Sequence, residues 1–225
     1  MNPNPNIKAL AFDAFGTLFD VHSVIKLCDD LFPGRGTALS QMWRSKQTEY
    51  MWQRSLMGQY VKFEVVTESA LIYVCKSLNV DCGPAERKRL MEAYLNLAVF
   101  PEVKEALAAL SNYPLAILSV GSPEMLSSLV KNAGLEKTFA HVISADEVKI
   151  YKPSMKVYEL VPSKMGVDKA AIGFVSANCW DAVGGKVFGF YTWWINRNNA
   201  PPDELGFSPD ATLNKLTEIP KALAG

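Results

Sequence analysis

Five short apolar runs, with helical patterns between the last four, restrict the fold of this chain more than any other feature of its sequence. The runs are IKALAF at 7–12, PLAILS at 114–119, HVIS at 141–144, AIGFVS at 171–176 and FYTWWI at 190–195. Short apolar runs bounded by turn residues read as buried strands. The segments 102–111, 123–133, 154–165 and 179–188 carry helical patterns, and Ser122-Pro123 supplies an N-cap followed by a first-turn proline. Strands that alternate with helices imply a parallel sheet with crossovers, an α/β Rossmann-like core. Ligands of such sheets bind beyond the carboxyl ends of the strands, at a switch point. Asp13, Ser119 and the segment 176–181 are therefore expected to converge.

Residues 20–99 break the alternation, because they contain no good strand candidate. Helical stretches occupy about 23–31, 37–60, 64–79 and 84–97, with turn signals at 32–36 and 82–84. A single crossover needs only about a dozen residues, so a segment this long reads as an inserted helical cap. The expected division is an α/β core of residues 1–19 and 100–225 and a cap of residues 20–99.

The chain has 225 residues, 49% of them apolar, enough for a core without disulfides or metals. Basic and acidic residues balance at 23 each, and no Lys/Arg block dominates a segment, so no nucleic-acid partner is expected. Cys28, Cys75, Cys82 and Cys179 match no zinc or C-x-x-C spacing and read as reduced thiols. No leader pattern is present and no run approaches the roughly 20 apolar residues of a membrane span. A cytoplasmic protein with no membrane partner is expected, with a frayed Asn/Pro alternation at 2–6.

Asp13 ends an apolar strand and precedes a glycine-containing loop. A carboxylate there needs hydrogen bonds or charges to offset its desolvation, and a loop-capping or a chemical role both satisfy that. The surrounding segment AFDAFGTLFDVHS, 11–23, resembles the first motif of the haloacid dehalogenase superfamily, and in particular its L-2-haloacid dehalogenase branch. LAILSVGSP (115–123), KIYKP (149–153) and GFVSANCWDAVG (173–184) agree in order and spacing, and WRSKQTEYMWQRSLM (43–57) is similar to the cap of that branch. The resemblance spans about residues 7–200.

The superfamily's phosphatases carry a second Asp two positions after the nucleophile. Here Phe15 stands there and cannot transfer a proton. Ser176 stands where an acid would help to hold Mg²⁺, a cation that prefers hard anionic oxygens. The resemblance thus implies a site with no metal and no cofactor, acting on a small 2-haloacid and water. Asp13 would attack C2 and form an ester with inversion. Asp181, with Asn178 and Lys152, would hold or activate the water that cleaves it. Arg44 would receive the halide, as an always-charged and weakly hydrated guanidinium can, beside the electropositive ring edge of Trp180. Ser119 and the backbone of Ala14 and Phe15 would bind the substrate carboxylate. Thr17 would orient Asp13, and Tyr158 and Ser176 would support Lys152 and the strand-four loop.

This chain departs from the branch at three places. Val120 replaces the usual Asn of the pocket wall, Phe15 the frequent Tyr, and Ser45 the common Gln, so the pocket is more apolar. His22 reads as a neighbour of the Asp13 loop and His141 as a strand opener, and neither has the nucleophile of a triad. A Mg²⁺-dependent phosphatase and a non-enzymatic small-acid-binding protein stand as the alternatives. Trp43, Tyr50 and Trp52 are read as a face that buries a homodimer contact.

Overall fold

The computed structural model describes residues 6–224. Of the Asn/Pro alternation at 2–6, all but Asn6 lies outside the described residues. Strands β1 (Ala9–Phe12), β2 (Leu115–Ser119), β3 (His141–Ser144), β4 (Ile172–Ser176), β5 (Tyr191–Ile195) and β6 (Ala211–Leu213) form one parallel sheet of order β3-β2-β1-β4-β5-β6. Every residue of β1, β2 and β4 is buried. Both faces of these strands are covered, which is why they read as unbroken apolar runs. The chain leaves β1 for β2 and β3 on one side and returns to β4 on the other, so the switch point lies at β1. Phe12 is in register with Ile117 and Val175, and the next backbone N–H, that of Asp13, donates to Val175 O at 2.9 Å.

Between β1 and β2 lie α1 (Ile25–Leu31), α2 (Gly36–Leu56), α3 (Phe63–Ser77) and α4 (Pro84–Ala93), followed by α5 (Val103–Ala109). The later crossovers contain α6 (Pro123–Asn132), α7 (Met155–Tyr158), α8 (Leu160–Met165) and α9 (Cys179–Phe188), and α10 (Ile219–Ala224) closes the chain. Ser122 caps α6, its hydroxyl accepting from Met125 N. Three local readings need correction. The helix expected over 37–60 stops at Leu56, where Gly58 turns the chain at φ +65°. The pattern at 154–165 is two short helices that part at Glu159. Strand β6 was not expected, because three residues at a sheet edge give no periodic signal.

One apolar cluster joins the inserted helices to a face of the sheet, with Phe15, Trp43, Phe63 and Tyr94 packed into the same body as Leu10 and Ile117. A second, including Ala11, Leu118, Tyr158 and Phe174, covers the opposite face. On α2, Leu39, Trp43, Gln47 and Met51 recur every fourth residue and are buried, which makes this the inward stripe of an amphipathic helix. Trp43 therefore cannot serve in a dimer face. Its indole N–H donates to Thr67 O at 2.7 Å and its ring lies 4.5 Å from that of Tyr94. Trp52, one position beyond Met51, points the other way and is 37% exposed. All four cysteines are free thiols, and burial pushes Cys28 and Cys75 up to about 12. Among the described residues no helix is long and apolar enough to cross a membrane.

Candidate active site

The carboxyl end of β1 delivers Asp13, 4% exposed, into a ring of donors. Its Oδ2 accepts from the Thr17 hydroxyl at 2.9 Å and from Asn178 Nδ2 at 2.9 Å. Its Oδ1 accepts from Lys152 Nζ at 3.1 Å. Thr17 is fixed in turn, since its hydroxyl oxygen accepts from Ala177 N at 2.8 Å. The loop can bend this tightly because Gly16 has φ +87°, a conformation that residues with a Cβ adopt at a cost. Asn178 Nδ2 also donates to Phe15 O at 3.2 Å, so one amide holds both the carboxylate and its loop.

Lys152 lies between two acids. Its ammonium donates to Asp181 Oδ2 at 2.9 Å as well as to Asp13, and its side chain is fully buried. Burial alone would depress this ammonium, but the charges of Asp13 and Asp181 outweigh it and hold Lys152 above its ordinary value. Asp181, from the first turn of α9, is fully buried. Burial pushes its carboxyl up, and the Lys152 charge pulls against that shift without reversing it. The Tyr158 hydroxyl donates to Asp181 Oδ1 at 2.8 Å, so it supports Lys152 only through that carboxylate rather than by leaning on the lysine itself. Burial raises the Tyr158 phenol well above its usual range, which keeps it a donor. The Ser176 hydroxyl accepts from Asn178 N at 3.1 Å and so shapes the loop after β4.

Arg44 reaches the site from α2. Its Nη2 donates to Phe15 O and Asn178 Oδ1, each at a long 3.4 Å. Its Nη1 is buried and has no protein acceptor among the described residues. Two openings reach side chains that hold the carboxylate, one at Asn178 and one at Lys152. A polar one of about 370 Å³ is lined by Gly16, His22, Arg44, Asn178, Asn196 and Arg197. An apolar one of about 600 Å³ runs past Lys152, Trp180, Trp52, Tyr151 and Leu205. The Trp180 ring meets Trp52 edge-on at 5.4 Å.

Residues 7–189 match the family of haloacid dehalogenase-like hydrolases. The chain is a haloacid dehalogenase-like hydrolase. It is 48% identical over 224 residues to an (S)-2-haloacid dehalogenase of Pseudomonas sp. (strain YL), covering 97% of each chain. It is 47% identical over 220 residues to haloacetate dehalogenase H-2 of Moraxella sp. (strain B), covering 97% of this chain and 98% of that one. The L-2-haloacid dehalogenase of Xanthobacter autotrophicus with chloropropionic acid covalently bound superposes with a TM-score of 0.92 at 37% identity, over 97% of this chain and 99% of that one.

In this hydrolase the structure gathers Asp13, Thr17, Asn178, Lys152, Asp181, Tyr158, Ser176 and Arg44 into one connected network. Among the described residues no hydrogen bond joins Ser119 or Val120 to it. The Ser119 hydroxyl accepts from Gly121 N at 3.2 Å, and Val120 is 4% exposed in the apolar cluster. Phe15 packs under Phe63 of α3, with ring centroids 5.1 Å apart. His22 is lowered chiefly by burial and its Nδ1 lies 2.9 Å from the Ser40 hydroxyl. Residues 23–99 contributed Phe63 and Tyr94 above the loop, which no motif announced. Arg197 was also missed, although it stands just past the carboxyl end of β5, where the rule applied to β1, β2 and β4 points equally.

Proposed function

We propose that this hydrolase converts short L-2-haloacids to D-2-hydroxyacids through an ester on Asp13. The observation that carries the reading is the unequal holding of the two Asp13 oxygens. Oδ2 accepts two hydrogen bonds and Oδ1 one. Oδ1, the less encumbered oxygen, attacks C2 as the carbon–halogen bond breaks and halide leaves with the electron pair. Oδ2 becomes the ester carbonyl. Thr17 and Asn178 are then already aimed at the oxygen that turns negative when water attacks the Asp13 carbonyl carbon. Asp181 takes the proton of that water, and its raised pKa suits it as a base. The acyl–oxygen bond breaks, the departing C2 oxygen takes the proton back from Asp181, the other water proton is lost to solvent as the Asp13 carboxylate is restored, and the hydroxyacid leaves with its C2 inverted.

The relatives' names supply the substrate class. The unpartnered Arg44 Nη1 offers a place for the halide, whereas Trp180 lines the other opening and is not brought beside it. The backbone of Ala14 and Phe15 with Ser119 would take the carboxylate. The donor set does not fit Mg²⁺, because the Lys152 ammonium itself bridges Asp13 and Asp181 and Phe15 replaces the second acid of a phosphatase. Residues 20–99 are read as the cap. The outward side chains Met42, Leu56 and Met57 support a homodimer, which an elution volume matching the monomer would overturn. Four free thiols support a cytoplasmic setting.

Halide release from L- and D-2-chloropropionate in the presence of a chelator tests the reaction. Chloride from the L form alone, D-lactate as product, and no activity in Asp13→Ala are expected. Chloride from Asp13→Ala, or activity that the chelator abolishes, would overturn it.

A further inference from the structure

Arg197 makes three hydrogen bonds to acceptors of this chain. The chain leaves β5 through Asn196, whose N–H donates to Leu213 O at 2.7 Å. The Asn196 amide then exchanges two hydrogen bonds with Ala200, both 2.9 Å, and closes the loop that carries Arg197. The guanidinium lies flat on Phe100, its carbon 3.8 Å from the ring centroid. Its Nε donates to Glu102 Oε1 at 2.8 Å. Nη1 donates to Gly16 O at 3.1 Å and Nη2 to Thr17 O at 2.9 Å. Both side chains of the Arg197–Glu102 pair are only 17% exposed.

Residues 14–16 link Asp13 to its Thr17 donor, so the Gly16 and Thr17 carbonyls belong to the turn that sets this hydrogen bond. Asn178 and Arg44 hold the Phe15 carbonyl, and Arg197 holds the next two. Three consecutive carbonyls of the loop thus end on side chains from the loop after β5, from α9's N-cap and from α2. A planar fork can meet two neighbouring acceptors at once, whereas an ammonium is a single point of charge. Glu102 neutralises the guanidinium, so the pair adds little net field at the reacting carbon.

We propose that Arg197, held by Glu102 and Phe100, is a positioning residue that sets the attack geometry of Asp13 by gripping the Gly16 and Thr17 carbonyls. The inference rests on Asp13 being the nucleophile. If it is right, loss of the fork moves the carboxylate but leaves substrate binding in place. A misplacement of about 1 Å costs about 10²-fold in rate.

The test compares the full-length wild-type chain with Arg197→Met, Arg197→Lys, Glu102→Gln and Asp13→Asn, in steady state and in a rapid-quench first turnover. Arg197→Met is expected to lose about 10²-fold in kcat and in first-turnover halide release, with KM within about 3-fold. Arg197→Lys should recover part of that loss, and Glu102→Gln should fall between. Melting temperatures measured alongside set the assay temperature below every transition. Unchanged kcat in folded Arg197→Met, or a loss that appears in KM alone, would overturn the proposal. Should Arg197→Met not fold, Arg197→Lys and Glu102→Gln decide by the same kcat-against-KM criterion. Halide release that survives in Asp13→Asn would instead remove the nucleophile reading, whatever the Arg197 variants do.

Discussion

In the proposed reaction Asp181 is both a partner for the Lys152 ammonium and a base for water. Full ionic pairing would lower its pKa and weaken it as a base, but burial dominates and holds the carboxyl above its ordinary value. The two chemical steps then separate at this residue. Attack by Asp13 needs no proton transfer, whereas ester hydrolysis does. Asp181→Asn is therefore expected to release about one halide per site in the first turnover and then stop, with the substrate's carboxyalkyl portion held on the chain through C2 as added mass. Continued turnover in this variant would move the base elsewhere. The pH dependence has a defined sign. The base is lost as pH falls through the raised Asp181 pKa, so the acid limb of ester hydrolysis should lie above the ordinary carboxylate value of about 4. Lys152, held above its ordinary value, stays charged through neutral and mildly alkaline pH. An acid limb below about pH 4, read from quench-flow decay of the ester, would contradict the assignment.

Helix α9 brings this chemistry its precision through a glycine. A Cβ at Gly184 would overlap the Tyr158 hydroxyl and stand 3.0 Å from Pro153 Cβ. The close approach of α9 to α7 thus lets Tyr158 reach Asp181 and packs the turn that follows Lys152. Gly184→Ala is expected to destabilise by about 1–3 kcal/mol through overpacking and to slow ester hydrolysis more than ester formation, as seen by quench-flow beside a denaturant titration. Equal slowing of both steps would show that Tyr158 does not act through Asp181. The elements themselves were legible in the sequence. β3 and α9 appear at the residues their patterns indicate, because buried parallel strands and an amphipathic crossover leave strong local signals. Asp13, Asn178 and Asp181 were legible because strand ends of a doubly wound sheet converge, whereas Lys152, eight residues past the end of β3, followed only from the motif resemblance. Phe63 over Phe15 was not legible, because it depends on which distant element lies opposite, and local periodicity carries no record of that.

At the scale of the molecule, the inserted helices and the α/β body meet along a seam at residues 55–64, and one acid there is exposed to the effect of pH. Tyr60 OH donates to Asp146 Oδ1 at 2.7 Å, Tyr151 OH donates to Val61 O at 2.6 Å, and Lys62 pairs with Glu124 at 3.0 Å. The last pair is exposed and contributes little. Asp146, only 14% exposed at its side chain, also accepts from Lys149 at 2.7 Å. Burial opposes its ionisation, yet Lys149 and Tyr60 outweigh that cost and hold its carboxyl below the ordinary value. A depressed acid stabilises the fold above its unfolded pKa of about 4, and that contribution is lost as pH falls through the folded value. Asp146→Asn keeps an acceptor for Tyr60 but removes the charge. It should lower stability by roughly 1 kcal/mol at about pH 7, measured by urea titration, and the gap to wild type should close at low pH because both chains are then neutral at this position. A gap that persists undiminished to about pH 2 would mean that the Asn amide disturbs the seam sterically. A gap absent at neutral pH would mean that the Val61 and apolar contacts alone carry it.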